Sequence, residues 1–228
     1  VIGNIAYYEV LGSSKASTVV PLTALYPLVT VILAVIFLRE RLNRIQLAGI
    51  LISLVAIYFF NVQAEAGFFS PWLFAALVPI LFWGIAGFVQ KLATLRISGE
   101  LATVYFLFAF LAAIPLIGLA AAVHNAHYHP PPPVRSALTA RAIMLVLLLG
   151  LTLALGNYAC LLAYAREGKA SIIAPLSSLY PVVSLPIAIL FFGERPSLRE
   201  SVGIALALLA VVAISIESKA PVPESSTT

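Results

Sequence analysis

Seven stretches free of charged residues, at 16–38, 45–64, 66–90, 101–123, 142–165, 170–193 and 201–216, make up most of the chain. All but the last contain the roughly 20 residues that a helix needs to cross about 30 Å of hydrocarbon. The last gains that length once its polar start at Ser197 is counted. The runs are continuously apolar instead of alternating, which favours helices over barrel strands, because a helix satisfies its own backbone hydrogen bonds in lipid. With 62% of the 228 residues hydrophobic and 10% charged, a soluble domain of this size could not hide the apolar surface. The expected fold is an all-α polytopic membrane helix bundle with seven complete spans. The opening "VIGNIAYYEVL" adds about half a span, so the chain is expected to start inside a helix, as part of something longer.

The formal net charge of +4 does not call for a nucleic-acid partner, since the basic residues cluster at the ends of the apolar runs, where they anchor helices and set topology. Cys160 is the single cysteine, aspartate is absent, and no nucleophile–base pair, phosphate loop or metalloprotease pattern is present. An enzyme, a cofactor and a metal centre are therefore not expected. His124, His127 and His129 in "HNAHYH" have a spacing that could hold a transition metal, but with no cysteine or acid nearby they read as solvated.

Two segments align without gaps: "KASTVVPLTALYPLVTVILAVIFLRER" at 15–41 and "KASIIAPLSSLYPVVSLPIAILFFGER" at 169–195. Gly49 recurs as Gly203, and with one residue of slack "GN" at 3–4 recurs at 156–157. This is an internal duplication. The copies are an odd number of crossings apart, so they must run in opposite directions, as inverted repeats. In membrane proteins such repeats mark transporters with a site between the halves near the midplane. Eight basic residues fall on the side of the C-terminus and five on the other, so the C-terminus is expected in the cytoplasm, and the expected location is a bacterial inner (plasma) membrane. The connection "HNAHYHPPPPVRSALTAR" at 124–141 reads as a stiff extracytoplasmic spacer, and the tail from Glu217 as disordered.

The duplicated motif sets Pro27 and Pro181 inside hydrophobic runs. A proline within a helix leaves the carbonyl four residues earlier without its donor, here at Thr23 and Ser177, so the motif suits a hinge or the lining of a site. Ser17 and Ser171, four residues before Pro21 and Pro175, read as N-caps that keep those prolines in the first turn. Asn43 with Gln46, and Ser197 with Glu200, have capping-box spacing. The pairs Glu40–Arg41 and Glu194–Arg195 read as charges that fix the hairpins.

At this point the chain resembles the EamA-type carriers of the drug/metabolite transporter superfamily, through "YYEVLGSSKASTVVPLTALYPLVTVILAVIFLRERLNRIQLAGILISLVAIYFF" and its second copy. The resemblance implies a ten-helix parent of two inverted five-helix halves with both ends cytoplasmic, of which this chain lacks the first two helices. It divides the chain into the C-terminal part of a first repeat (1–64), a second repeat (66–216) and a polar tail (217–228). It implies a secondary carrier that moves a small organic metabolite or drug-like solute across the bilayer by alternating access, with the oligomeric state open. The alternative is a non-transporting membrane protein, an assembly partner or sensor that keeps the fold.

Seven residues are expected to meet in a central cavity as substrate contacts: Asn4, Thr23, Tyr26, Trp83, Asn157, Ser177 and Tyr180, with Pro27 and Pro181 as hinges. Asn4 and Asn157 are either helix–helix glue or polar contacts, and Trp83 either lines the cavity or packs against helices. Trp72 reads as an interfacial residue. Glu9, an acid without a basic neighbour in sequence where the family pattern has a small residue, is either a proton-coupling group or an interfacial one.

Overall fold

The computed structural model describes residues 2–60, 71–127, 139–166 and 168–216. Each apolar run folds into helix, and no strand occurs among the described residues. The elements are α1 (Ile2–Ser13), α2 (Ala16–Thr23), α3 (Pro27–Leu38), α4 (Arg44–Phe60), α5 (Pro71–Thr94), α6 (Gly99–His127), α7 (Ala140–Ala165), α8 (Ala170–Ser177), α9 (Pro181–Phe191) and α10 (Leu198–Ser215). The fold is an all-α polytopic bundle. Five segments are long and apolar enough to cross a membrane: Ala16–Leu38, Pro71–Thr94, Ala140–Ala165, Ala170–Phe191 and Leu198–Ser215. Two further apolar helices, Arg44–Phe60 and Gly99–Pro115, are shorter as counted over the described residues alone, and α6 continues as helix to His127. The side chains of "HNAHYH", the proline run and the tail from Glu217 lie outside the described residues.

The chain divides into two compact units, one of Gln90–Gly168 and one of Ile2–Val89 with Lys169–Thr228. The second unit contains both copies of the duplicated segment. Its core draws Val10 from α1, Leu22 from α2, Phe60 from α4, Ile80 from α5 and Ala207 from α10. Within it α2 packs on α9 and α3 on α8. The Glu40 carboxylate, just past α3, accepts from the Ala170 and Ser171 amides that open α8, each at 2.9 Å. The Glu194 carboxylate, just past α9, accepts from the Ala16 and Ser17 amides that open α2, at 2.9 and 2.7 Å. Each broken helix therefore ends where the other begins. The copies are antiparallel, and the two hairpins stand at opposite ends of the pair.

These contacts correct two expectations. The caps of α2 and α8 are Lys15 and Lys169, both with extended backbone and no side-chain cap bond. Ser17 and Ser171 are the second helical residues, and Pro21 and Pro175 fall inside the helices beyond the first turn. The acid of each "ER" pair does more than fix its own hairpin, because its carboxylate offers two charged acceptors to helix-start amides that otherwise lack partners, and a serine hydroxyl offers one neutral acceptor. The turn that aims each carboxylate is the same in both copies. Arg39 and Gly193 adopt left-handed backbone, with φ of 56° and 66°, and the next amide, of Glu40 or Glu194, reaches back to Ala34 or Ala188 at 3.3 Å.

Helices α4 and α10 form a second antiparallel pair. A Cβ on Gly49 would stand 2.7 Å from Ile214 Cγ1 and 3.0 Å from the Ala210 carbonyl, and one on Gly203 would stand 3.3 Å from Phe59, so both glycines are close-packing points. Both capping boxes form. Asn43 and Gln46 exchange bonds of 3.0 and 2.8 Å, and Ser197 and Glu200 do the same.

In the other unit α6 packs on α7, with Gly99 against the backbone of Leu162. The Lys91 ammonium, buried at the end of α5, donates to the Tyr164 carbonyl at 3.2 Å, in the last turn of α7, where carbonyls lack helical partners.

Candidate functional site

A proline can open a helix without loss, since the first helical amide has no partner inside the helix. That is where Pro27 and Pro181 stand, at the starts of α3 and α9. The motif thus interrupts the regular α-helix with a tightened turn, in which Ala24 and Tyr26 keep right-handed helical backbone. The break also corrects the expected free carbonyl at Thr23, which accepts from the Tyr26 amide at 3.1 Å as the chain tightens through residues 24–26.

Because the copies are antiparallel, the breaks meet. The Tyr26 hydroxyl lies 2.8 Å from Ser177 Oγ, and the Tyr180 hydroxyl 3.5 Å from Thr23 Oγ1. The tyrosine of each copy thus reaches the hydroxyl residue that precedes the other copy's break. The Ala174 carbonyl lies within reach of both hydroxyls of the first pair, 2.8 Å from Ser177 Oγ and 3.5 Å from the Tyr26 hydroxyl, and Thr23 Oγ1 also lies 2.9 and 3.2 Å from the carbonyls of Val19 and Val20. Each crossed pair thus joins two hydroxyls, both able to donate and to accept.

Helix α5 crosses the first break closely. A Cβ on Gly84 would stand 2.4 Å from Val29 Cβ and 2.7 Å from the Tyr26 carbonyl, and Thr30 Oγ1 donates to the Gly84 carbonyl at 2.8 Å. This approach sets Trp83 beside Tyr26, with ring centroids 6.2 Å apart and planes at 88°. On its other side Trp83 meets Tyr7 at 5.1 Å, and its indole N–H donates to Asn4 Oδ1 at 2.8 Å. An indole nitrogen only donates, which fixes the orientation of the Asn4 amide.

Asn4, Thr23, Tyr26, Trp83, Ser177 and Tyr180 therefore form one connected cluster. Thr23 is fully buried, whereas Ser177 and Tyr180 are exposed, the latter by 38%, so the cluster presents reachable surface. Tyr7 belongs to it and was not singled out by sequence, although its position one helical turn after Asn4 places both on one face. Asn157 belongs to the other unit, where its Oδ1 accepts from Gln90 Nε2 at 2.8 Å and its Nδ2 is buried without a partner among the described residues. Glu9 is exposed on α1 and makes no hydrogen bond or ion pair among the described residues. Trp72 donates to Ser14 Oγ at 2.6 Å, holding the start of α5 to the end of α1. No cluster of metal-ligating side chains occurs among the described residues.

An all-helical chain with spanning apolar segments and two antiparallel copies of one broken helix defines an integral membrane protein built on inverted repeats. The sequence matches the EamA-like transporter family over residues 1–62 and 70–216, and the chain belongs to that family, within the drug/metabolite transporter superfamily. It is also similar to an uncharacterized protein of Methanocaldococcus jannaschii, with 39% identity over 63 residues, which is 28% of this chain and 46% of that protein. The chain thus spans about half the length of the curated relative it matches.

Proposed function

We propose that the protein is a secondary carrier that moves a small, partly apolar organic solute across the bilayer by alternating access. The observation that carries this reading is the crossed pairing of Tyr26 with Ser177 and of Tyr180 with Thr23. Polar groups deep in a membrane bundle are costly unless they serve a site or one another. Here they gather at the two places where antiparallel helices are interrupted, beside a tryptophan. Breaks joined by short turns are also natural pivots for a rocking motion. Glu40, Glu194 and the Lys15–Glu200 pair sit at the ends of the broken helices, and Glu9 is exposed on α1. The centre is left to rings and hydroxyls, which suits a solute with few charges.

In this reading residues 1–64 and 66–216 belong to the first and second repeat, the C-terminus faces the cytoplasm as the excess of basic residues on that side directs, and the membrane is a bacterial inner membrane. The test is transport by the full chain in proteoliposomes over a panel of radiolabelled metabolites, followed by Tyr26→Ala and Tyr180→Ala at matched expression. Accumulation that both substitutions abolish supports the carrier. Accumulation that both leave unchanged removes the breaks from the transport path.

A further inference from the structure

The duplication makes the two hairpins alike in backbone but not in charge. The hairpin between α3 and α4, residues 39–44, carries Arg39, Glu40, Arg41 and Arg44, whereas the matching residues 193–198 between α9 and α10 carry Glu194 and Arg195. Three arginines and one glutamate leave a net charge of +2 at the first, and one of each leaves zero at the second. Arg39 stands against Gly193, and Arg44 against Leu198. The one acid of the first hairpin is turned away from its neighbours, because the Glu40 carboxylate accepts from the Ala170 and Ser171 amides. Arg39, Arg41 and Arg44 are exposed, and none of them forms an ion pair among the described residues. Glu217 and Lys219, the next charges in sequence after α10, cancel one another. At the other end Lys15 pairs with Glu200 at 3.2 Å, and the Arg199 guanidinium lies 5.4 Å from the centre of the Tyr58 ring and donates to the Tyr58 carbonyl at 3.3 Å.

The backbone adds a second observation. Arg39 is the one non-glycine residue with positive φ, 56°, among the described residues. Glycine enters that region freely, and a residue with a Cβ does so at a cost. The second copy builds the same turn with Gly193 at φ 66° and delivers its glutamate to the same kind of amides, so the turn itself does not call for an arginine. What Arg39 adds in return for the strain is its guanidinium, and strained residues of this kind gather where side chains bind something. Ile36, Phe37, Ile45 and Leu47, which flank the arginines in sequence, are exposed. In a membrane protein such residues meet lipid chains, which sets the arginines at the level where chains give way to head groups. A guanidinium matches a phosphate with two parallel N–H bonds, and three of them on one short hairpin form a cationic patch without an internal counter-ion.

We propose that the hairpin of residues 39–44 is a docking surface for an anionic phospholipid of the surrounding membrane, whose head-group phosphate is taken by Arg39, Arg41 and Arg44. The hairpin of residues 193–198 has no such preference. Neither statement depends on what the protein carries.

The experiment titrates the full chain, in an uncharged detergent, with phosphatidylglycerol and with phosphatidylcholine of the same acyl chains, and reads lipid retention by native mass spectrometry and the thermal transition. The expected result is half-saturation by phosphatidylglycerol at a concentration at least about tenfold below that of phosphatidylcholine, with the gap closing as salt is raised. Arg39→Gly with Arg44→Leu, which gives the first hairpin the residues of the second, should remove most of the gap. Arg141→Gln with Arg195→Gln, which takes away the same charge elsewhere, should leave it. Arg39→Gly alone should keep or raise the melting temperature in lipid-free detergent, since the turn relaxes, while it weakens phosphatidylglycerol; a residue with a merely structural role would not divide the two readouts in this way. On the unsubstituted chain, hydrogen exchange should show residues 39–44 slowed by phosphatidylglycerol over phosphatidylcholine and residues 193–198 unaffected, a result that needs no variant to fold. Equal half-saturation by the two lipids, an equal loss in both double variants, or equal protection of both hairpins would overturn the proposal. Protection of residues 39–44 by free glycerol phosphate at the same concentration would overturn it too, by making the patch a site for a soluble phosphate and not for a lipid.

Discussion

Glu40 and Glu194 are related by the duplication and act on each other's copy: the carboxylate that ends one broken helix takes the first two amides of the other. Each contact joins a negative charge to the positive end of a helix, where it is favourable. Each also fixes the antiparallel register of the pair, so the meeting of the two breaks depends on both.

Loss of either carboxylate leaves two helix-start amides without their charged acceptors. Glu40→Ala and Glu194→Ala are each expected to destabilise the fold by about 1–3 kcal/mol, and the glutamine variants, which keep one neutral acceptor, by about half of that. Denaturation in detergent, followed by circular dichroism, measures the loss. An alanine variant as stable as the parent protein would show that water replaces the clamp at no cost.

The clamp at Glu194 also predicts an acid limit. Burial raises its pKa, but hydrogen bonds from Ser17 and Ala16 and the charge of Lys15 outweigh that and hold it below the ordinary carboxylate value. A carboxylate depressed in the folded state contributes stability above its unfolded pKa, and that contribution disappears as pH falls through the lower, folded value. The melting temperature is therefore expected to drop as pH goes below about 4. Glu194→Gln should make that drop shallower while lowering stability at neutral pH. An acid transition identical in the variant would assign the limit to other groups.

The glycines separate packing from tolerance. Gly84→Ala would bring a Cβ to 2.4 Å from Val29 Cβ and 2.7 Å from a carbonyl, whereas a Cβ at Gly150 meets nothing within 4 Å among the described residues. The expected cost at Gly84 is about 1–3 kcal/mol through overpacking. Gly150→Ala is expected to be neutral or stabilising by up to about 1 kcal/mol, since alanine is the better helix former. Comparable losses at both positions would mean that α5 does not pass the break so closely. Because Trp83 is carried on the same turn of α5, Gly84→Ala should also shift its fluorescence.

Features with a local cause could be read from the chain alone. The helical runs follow from continuous hydrophobicity, and the capping boxes from partners three residues apart. The opposite sense of the copies follows from counting crossings, and the expectation that the two motifs approach each other from the symmetry that the opposite sense imposes. What escaped the reading depends on distant partners. Glu194 lies 178 positions from Ala16, and nothing in "GER" distinguishes a carboxylate that shields its own hairpin from one that closes another helix. At Pro27 the helix tightens, with the Tyr26 amide bonded to the Thr23 carbonyl across a three-residue turn, and a hydrophobic run does not signal that tightening. Tyr7 joins the site through the ring of Trp83, which α5 brings to it across the fold.

The last prediction concerns the two ends of the broken pair, which the duplication makes alike and substitution has made different. Glu200 in the second copy corresponds to Gln46 in the first. The Glu200 carboxylate accepts from Thr18 Oγ1 at 2.7 Å and from the Lys15 ammonium at 3.2 Å, so the start of α2 is held by Glu194 and Glu200 together. Gln46 instead donates to the Ile214 carbonyl at 3.0 Å and turns toward α10, and Ile172, the counterpart of Thr18, has no hydroxyl to offer. The first-turn amides are otherwise matched: Thr18 and Val19 bond to Lys15, and Ile172 and Ile173 to Lys169, at 3.0–3.1 Å in each case. If these contacts set how readily each end opens, the Thr18 and Val19 amides should exchange with deuterium roughly tenfold more slowly than those of Ile172 and Ile173. Glu200→Gln should remove most of that difference while leaving exchange at Ile172 and Ile173 unchanged, since Lys15 is half-exposed and water can solvate it once its partner is neutral. Equal exchange at the two ends of the parent protein would mean that the extra carboxylate adds no hold, and that the end it closes opens as easily as the other.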